Sequence, residues 1–168
     1  YVLDLGTLTL GRVNAPSTPV RDGCQFGGTY ADGRPVSRHT YDHLAWLPGA
    51  SRLYMVGGSQ WQCGFFAGDA WTFDPAANAW VEKSYANAPR VTFGLGVTLD
   101  PNTGLLYAHD QLDLYSYNSA TDQWTGRAQN GSGPGDYKSA VIDPVRRRYF
   151  YYKLGELGVF GINVPEEF

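Results

Sequence analysis

Three histidines, His39, His43 and His109, are the residues in this chain best suited to hold a metal ion or move a proton. His39 and His43 stand four apart, a spacing that would share one face of a helix. The stretch Thr40–Trp46 reads instead as a strand, and there a four-residue step covers about 13 Å, too far for one ion without a bend. The expectation is therefore structural: His39 bonded to the turn leading into the strand, His43 partly exposed. Asp4, Asp74, Asp100 and Asp143 invite a carboxylate-pair reading, yet each begins a turn, three of them as Asp-Pro. Asp and Asn favour such positions because the side chain caps the local backbone. Cys24 and Cys63 allow one disulfide at most and lie in no CxxC or zinc spacing. No GxSxG, P-loop or HExxH occurs, and neither Gly27-Gly28 nor the run from Gly131 to Gly135 opens a helix. No catalytic residue, metal ligand or cofactor is predicted.

The elements that must position these side chains follow from composition. Five Trp and twelve Tyr against one Met favour β-structure, since flat rings pack well on a pleated surface. The 21 Gly and 10 Pro fall between apolar runs, which predicts many short strands and frequent turns. A net charge of −3 argues against a nucleic-acid partner. The dense cluster Arg146-Arg147-Arg148 reads as a solvated hairpin tip. No segment reaches the ~18–20 apolar residues of a membrane-spanning helix.

An internal repeat organises the chain. Leu47–Tyr54, Asp100–Tyr107 and Asp143–Phe150 each carry an apolar residue, a Pro/Gly or Pro/Arg turn, and an aromatic six residues past the proline. That is a hairpin signature. A second hairpin follows each: Trp71–Trp80 matches Tyr115–Trp124, with 44 residues separating Asp74 from Asn118 and Trp80 from Trp124. Val159–Asn163 begins a third copy. Tyr1–Leu10 is an earlier one, with Leu10 where tryptophan stands elsewhere. Two hairpins make four antiparallel strands in roughly 44 residues, the period of a propeller blade.

The stretch Leu53-Tyr54-Met55-Val56-Gly57-Gly58, followed by Asp69–Asp74 and Trp80, resembles the kelch repeat, and Arg38-His39-Thr40-Tyr41 looks like the start of one. The other copies diverge: His109-Asp110 and Leu154-Gly155 replace the double glycine. The resemblance implies an all-β chain forming part of a kelch-like β-propeller, with Gly57 and Gly58 shaping a strand end and Trp80 and Trp124 packing between blades. Residues 1–13 would be the last two strands of a preceding blade and 14–37 a long interblade loop. Residues 38–84 would form a full blade, 90–127 a second, and 136–164 three strands of a third. About three blades cannot close a ring, so the chain is expected to be an excerpt whose remaining blades come from the same polypeptide or another chain.

The function implied is a non-enzymatic scaffold for protein or glycan partners. Two alternatives stay open: part of a galactose-oxidase-like or other sugar-acting propeller completed elsewhere, or a structural component of an extracellular or particle assembly. No residue matches the copper ligand set of galactose-oxidase relatives, so none is carried over. The candidate binding residues are Arg38, His39 and Tyr41 at the start of the full blade, with Trp61, Phe65 and Phe66 in an insertion between its second and third strands. Those three rings could stack on a sugar or anchor a protein, or they could cover a neighbouring blade. Cys24, in the long loop, and Cys63, in the insertion, are expected to lie within disulfide reach. The low lysine content (Lys83, Lys138, Lys153) points to an extracellular or secreted protein.

Overall fold

The computed structural model describes residues 1–18, 28–60, 64–90, 94–129 and 137–163. Among them there are fifteen strands, all paired antiparallel, and no helix. β1 (Val2–Asp4) and β2 (Thr9–Gly11) form an exposed hairpin. The first four-stranded sheet has the order β4 (Leu44–Leu47), β5 (Arg52–Val56), β7 (Ala70–Asp74), β8 (Ala79–Lys83). Beside it, β3 (Arg38–His39) pairs with β6 (Ser59–Gln60). The second sheet is a meander of β9 (Gly96–Leu99), β10 (Leu106–His109), β11 (Asp113–Asn118) and β12 (Gln123–Gln129). The third holds β13 (Ser139–Asp143), β14 (Arg148–Lys153) and β15 (Glu156–Gly161).

One local rule builds the hairpins. Asp4, Asp74, Asn118 and Asp143 each accept backbone N–H groups two or three residues ahead with a side-chain oxygen, at 2.8–3.1 Å. Four residues after each cap the backbone turns left-handed, at Leu8, Asn78, Asp122 and Arg147, with φ between 53° and 55°. Ser51 and Gly104 take the same place after Leu47 and Asp100. Four-residue loops of this kind reverse the chain while keeping the strands in register.

The sheets stack face to face. Tyr54, Val56 and Ala70 of the first sheet close on Val97, Leu106, Ala108, Tyr117 and Trp124 of the second. The opposite face of the second sheet, with Tyr107 and Leu114, closes on Ile142, Tyr149, Tyr151 and Phe160 of the third. The first strands also neighbour one another, β4 beside β9 and β9 beside β13.

Two residues just ahead of β4 fasten this stack. His43 is fully buried, not partly exposed as its sequence setting suggested, because its ring spans two sheets. Its Nε2 accepts the Leu95 N–H at 2.6 Å, so the proton resides on Nδ1, which donates to the Val56 carbonyl at 3.0 Å. Burial holds this imidazole neutral, with its pKa lowered to about 4. Asp42 accepts the Ala140 N–H of the third sheet at 2.9 Å and also bonds the Val97 N–H of the second. Burial raises its carboxyl pKa.

The arginine run at residues 146–148 likewise departs from its solvated reading at one position. Arg146 and Arg148 are exposed, but Arg147 reaches back to the turn of the second sheet and grips Asp100 with two bonds of 2.7 Å. Asp100 is completely buried. Burial alone would raise its carboxyl pKa; the Arg147 guanidinium, the Thr103 hydroxyl and the Asn102 N–H together hold it below the usual range.

Candidate functional site

The long connection and the insertion meet at the end of the central strands β5 and β7 of the first sheet. Arg38, on β3, is buried and joins Asp69 in a two-pronged ion pair, one contact of which is 3.0 Å. Its remaining donors go to the carbonyls of Val36 at 3.0 Å, Gly57 at 3.1 Å and Gly28 at 3.3 Å. Asp69 also accepts the Trp71 indole N–H at 2.9 Å. This network demands close backbone approach. Gly28 has φ +70°, and a Cβ there would run into the Asp69 carboxylate; Gly58 has φ +101°, and a Cβ would stand 2.7 Å from the His39 carbonyl oxygen. Arg38 is thus committed to holding the connection on the sheet.

Around this network opens a groove of about 370 Å³, lined by Gly28, Gln60, Phe65, Phe66, Asp69 and Glu82 among others. Phe65 and Phe66 are 51% and 40% exposed. Their segment is tied back by two backbone bonds of 2.8 Å, Gln60 N–H to the Phe65 carbonyl and Ala67 N–H to the Gly58 carbonyl. Gln60 is only 6% exposed. Glu82 enters from β8, directly across from Trp71. Asp69 contributes a carboxylate already neutralised by Arg38.

A second aromatic group lies where the first strands begin. His39 stacks on Tyr41 with ring centres 6.0 Å apart, and Tyr41 meets Tyr137 edge-on at 5.5 Å. Both tyrosines are exposed, and both have left-handed backbone, φ +47° and +63°. Bulky side chains seldom adopt that conformation, and such outliers gather at binding sites.

Of the candidates read from sequence, then, Phe65 and Phe66 line an open groove, His39 and Tyr41 belong to the aromatic group, and Arg38 is a buried strut. Trp61, Cys24 and Cys63 lie outside the described residues. Gln60, Glu82 and Tyr137 were not singled out from sequence. Gln60 adjoins Trp61 in the same insertion and could have been found there. Glu82 needs the β7–β8 register, and Tyr137 comes from a different sheet. Among the described residues no three His, Cys, Asp or Glu side chains gather as a metal site. No family model matches the chain, and no curated protein matches it.

Proposed function

We propose that this chain is a run of divergent kelch-like blades of a β-propeller, acting as a non-enzymatic scaffold that binds protein or glycan partners. The observation that carries the architecture is the adjacency of β4, β9 and β13. When each antiparallel sheet puts its first strand beside the first strand of the next sheet, the sheets radiate from a common line. The repeat supports the same reading: Trp80 faces Phe73 at 5.0 Å, and 44 residues later Trp124 faces Tyr117 at 5.1 Å. The outer faces of the stack carry exposed apolar side chains, including Trp46 on β4 and Val141 and Val159 on the third sheet. Further blades would cover them, supplied by the same polypeptide or by another chain.

Binding rather than catalysis is favoured by how the ionisable groups are spent. Arg38 and Asp69, Asp100 and Arg147, and His43 all have their bonding capacity taken up in joining segments or sheets. The insertion and the Tyr41 group present exposed aromatic side chains of the kind that meet a partner.

Electron microscopy of the full-length protein, with metal analysis of the same sample, tests this reading. The expected result is a disc of radial sheets without stoichiometric metal. An extended or irregular particle would refute the propeller, and one copper per chain would replace the scaffold with an oxidase-type enzyme.

A further inference from the structure

We propose that His109 is an acid-operated catch: a proton on its ring opens the interface between the second and third sheets. This goes beyond the scaffold reading above and rests only on how those two sheets meet. His109 closes β10 at the end away from the Asp100 turn and is 1% exposed. Its ring centre lies 4.3 Å from that of Tyr151 and 4.9 Å from that of Phe160, both on the third sheet. Neither ring nitrogen has a hydrogen-bond partner among the described residues. A neutral imidazole survives there as a flat, weakly polar ring, whereas an imidazolium brings two donors and a charge.

The surroundings oppose a further cation. Lys138, just ahead of β13, and Lys153, at the end of β14, are both buried nearby. Lys138 donates to the Asp110 carbonyl, and Lys153 pairs with Glu156 at 3.6 Å. The Asp110 carboxylate attracts the proton, yet it already accepts the N–H groups of Arg90, Leu112 and Asp113 at 2.8–3.0 Å, with the Arg90 guanidinium beside it. The other ionisable groups facing the ring are the phenols of Tyr149 and Tyr151.

The opening is hinged. At the turn end Arg147 grips Asp100, whose pKa lies below the usual range, so mild acid leaves that clamp in place. At the His109 end the third sheet is held by the Tyr149 hydroxyl on the Gly96 carbonyl at 2.7 Å and by the Ala140 N–H on Asp42 at 2.9 Å. Asp42 works against the opening, because its raised pKa favours the closed form as it protonates. Burial first, then Lys138, lowers the His109 pKa to about 4 in the closed form, against 6.5 for an open ring. A group lowered on closing loses closed-state stability as pH falls from 6.5 toward 4. The open fraction should therefore rise about fiftyfold between pH 7 and pH 4.5 through His109 alone. Opening bares Tyr107, Leu114, Tyr149 and Phe160, an apolar surface suited to association in acid.

Amide exchange of the full-length protein, followed by NMR at pH 7 and pH 4.5 and corrected for the intrinsic rate, tests the catch. The reporter is the Ala140 N–H, whose acceptor lies outside the third sheet. Its protection should fall at least about tenfold in acid while staying below that of the β5 amides at both pH values. In His109→Leu most of that fall should vanish, the remainder reporting Asp42 and His43. An equal fall in the variant would overturn the proposal. So would Ala140 protection equal to that of β5 at pH 4.5, the mark of global unfolding. Should the variant fail to melt cooperatively at pH 7, titration of the His109 ring in the unaltered protein decides. A midpoint near 4, with Ala140 protection lost in step, supports the catch, and a midpoint near 6.5 removes it.

Discussion

His43 shows most directly how one residue couples this fold to its solution conditions. Its Nε2 must accept the Leu95 N–H, and a protonated ring would present a second donor there. His109 is similar: it is buried against Tyr149, Tyr151 and Phe160, and neither ring nitrogen has a hydrogen-bond partner among the described residues. Burial first, then the nearby Lys138 ammonium, lowers its pKa to about 4. A histidine whose pKa is lower folded than unfolded contributes stability that is complete above the ordinary value of 6.5. That contribution is lost as pH falls toward 4. The two rings should each contribute on the order of 3 kcal/mol across this window. Asp42 acts in the opposite sense, because its raised carboxyl pKa favours the fold as it protonates. Urea unfolding at pH 7 and pH 4.5 should show a marked net loss at the lower pH, smaller in a His43→Gln variant. A flat profile would contradict two buried neutral imidazoles.

At the scale of elements, repeat-equivalent residues are not energetic equals. Trp124 is 4% exposed, wedged between Tyr117 and Tyr54 of the neighbouring sheet. Trp80 is half-buried and faces a groove shared with Tyr1, Val2 and Arg12 of the β1–β2 hairpin. Trp124→Ala should therefore cost about 3–5 kcal/mol and Trp80→Ala roughly half as much, measured by thermal or denaturant unfolding. Equal losses would mean that Trp80 is as well covered as Trp124. The hairpins themselves were legible in the sequence because their chemistry is local. An Asp or Asn cap, a following proline and a residue such as Asn78 or Gly104 that tolerates left-handed backbone all lie within five positions. The β3–β6 pair was not legible, because two-residue strands carry no periodicity. The Arg147–Asp100 clamp and the enclosure of His43 depend on how sheets stack, which no local pattern encodes. The groove was half legible: Phe65 and Phe66 stood out as aromatics in an insertion, while Glu82 joins them only through the β7–β8 register.

At the scale of the whole molecule, the third sheet buries one face and bares the other. Val141, Tyr152, Leu157 and Val159 point away from the second sheet and are largely exposed. An apolar sheet face of this kind is a site of association. Residues 1–168 expressed alone should show an apparent mass in light scattering that rises with concentration. The double variant Tyr152→Lys, Val159→Lys should flatten that rise; a variant that associates like its parent would place the contact elsewhere. The Asp42–His43 fastening carries a consequence for the order of events during folding. The turn caps join residues two or three apart, whereas the His43–Leu95 and Asp42–Ala140 bonds span 52 and 98 positions. Hairpins close in microseconds, and contacts this distant must wait for the intervening chain to be ordered. The fastening is therefore expected to form late, on the native side of the transition state. Asp42→Ala should accelerate unfolding while leaving the refolding rate nearly untouched, so this dipeptide sets how long the assembled sheets last rather than how quickly they assemble.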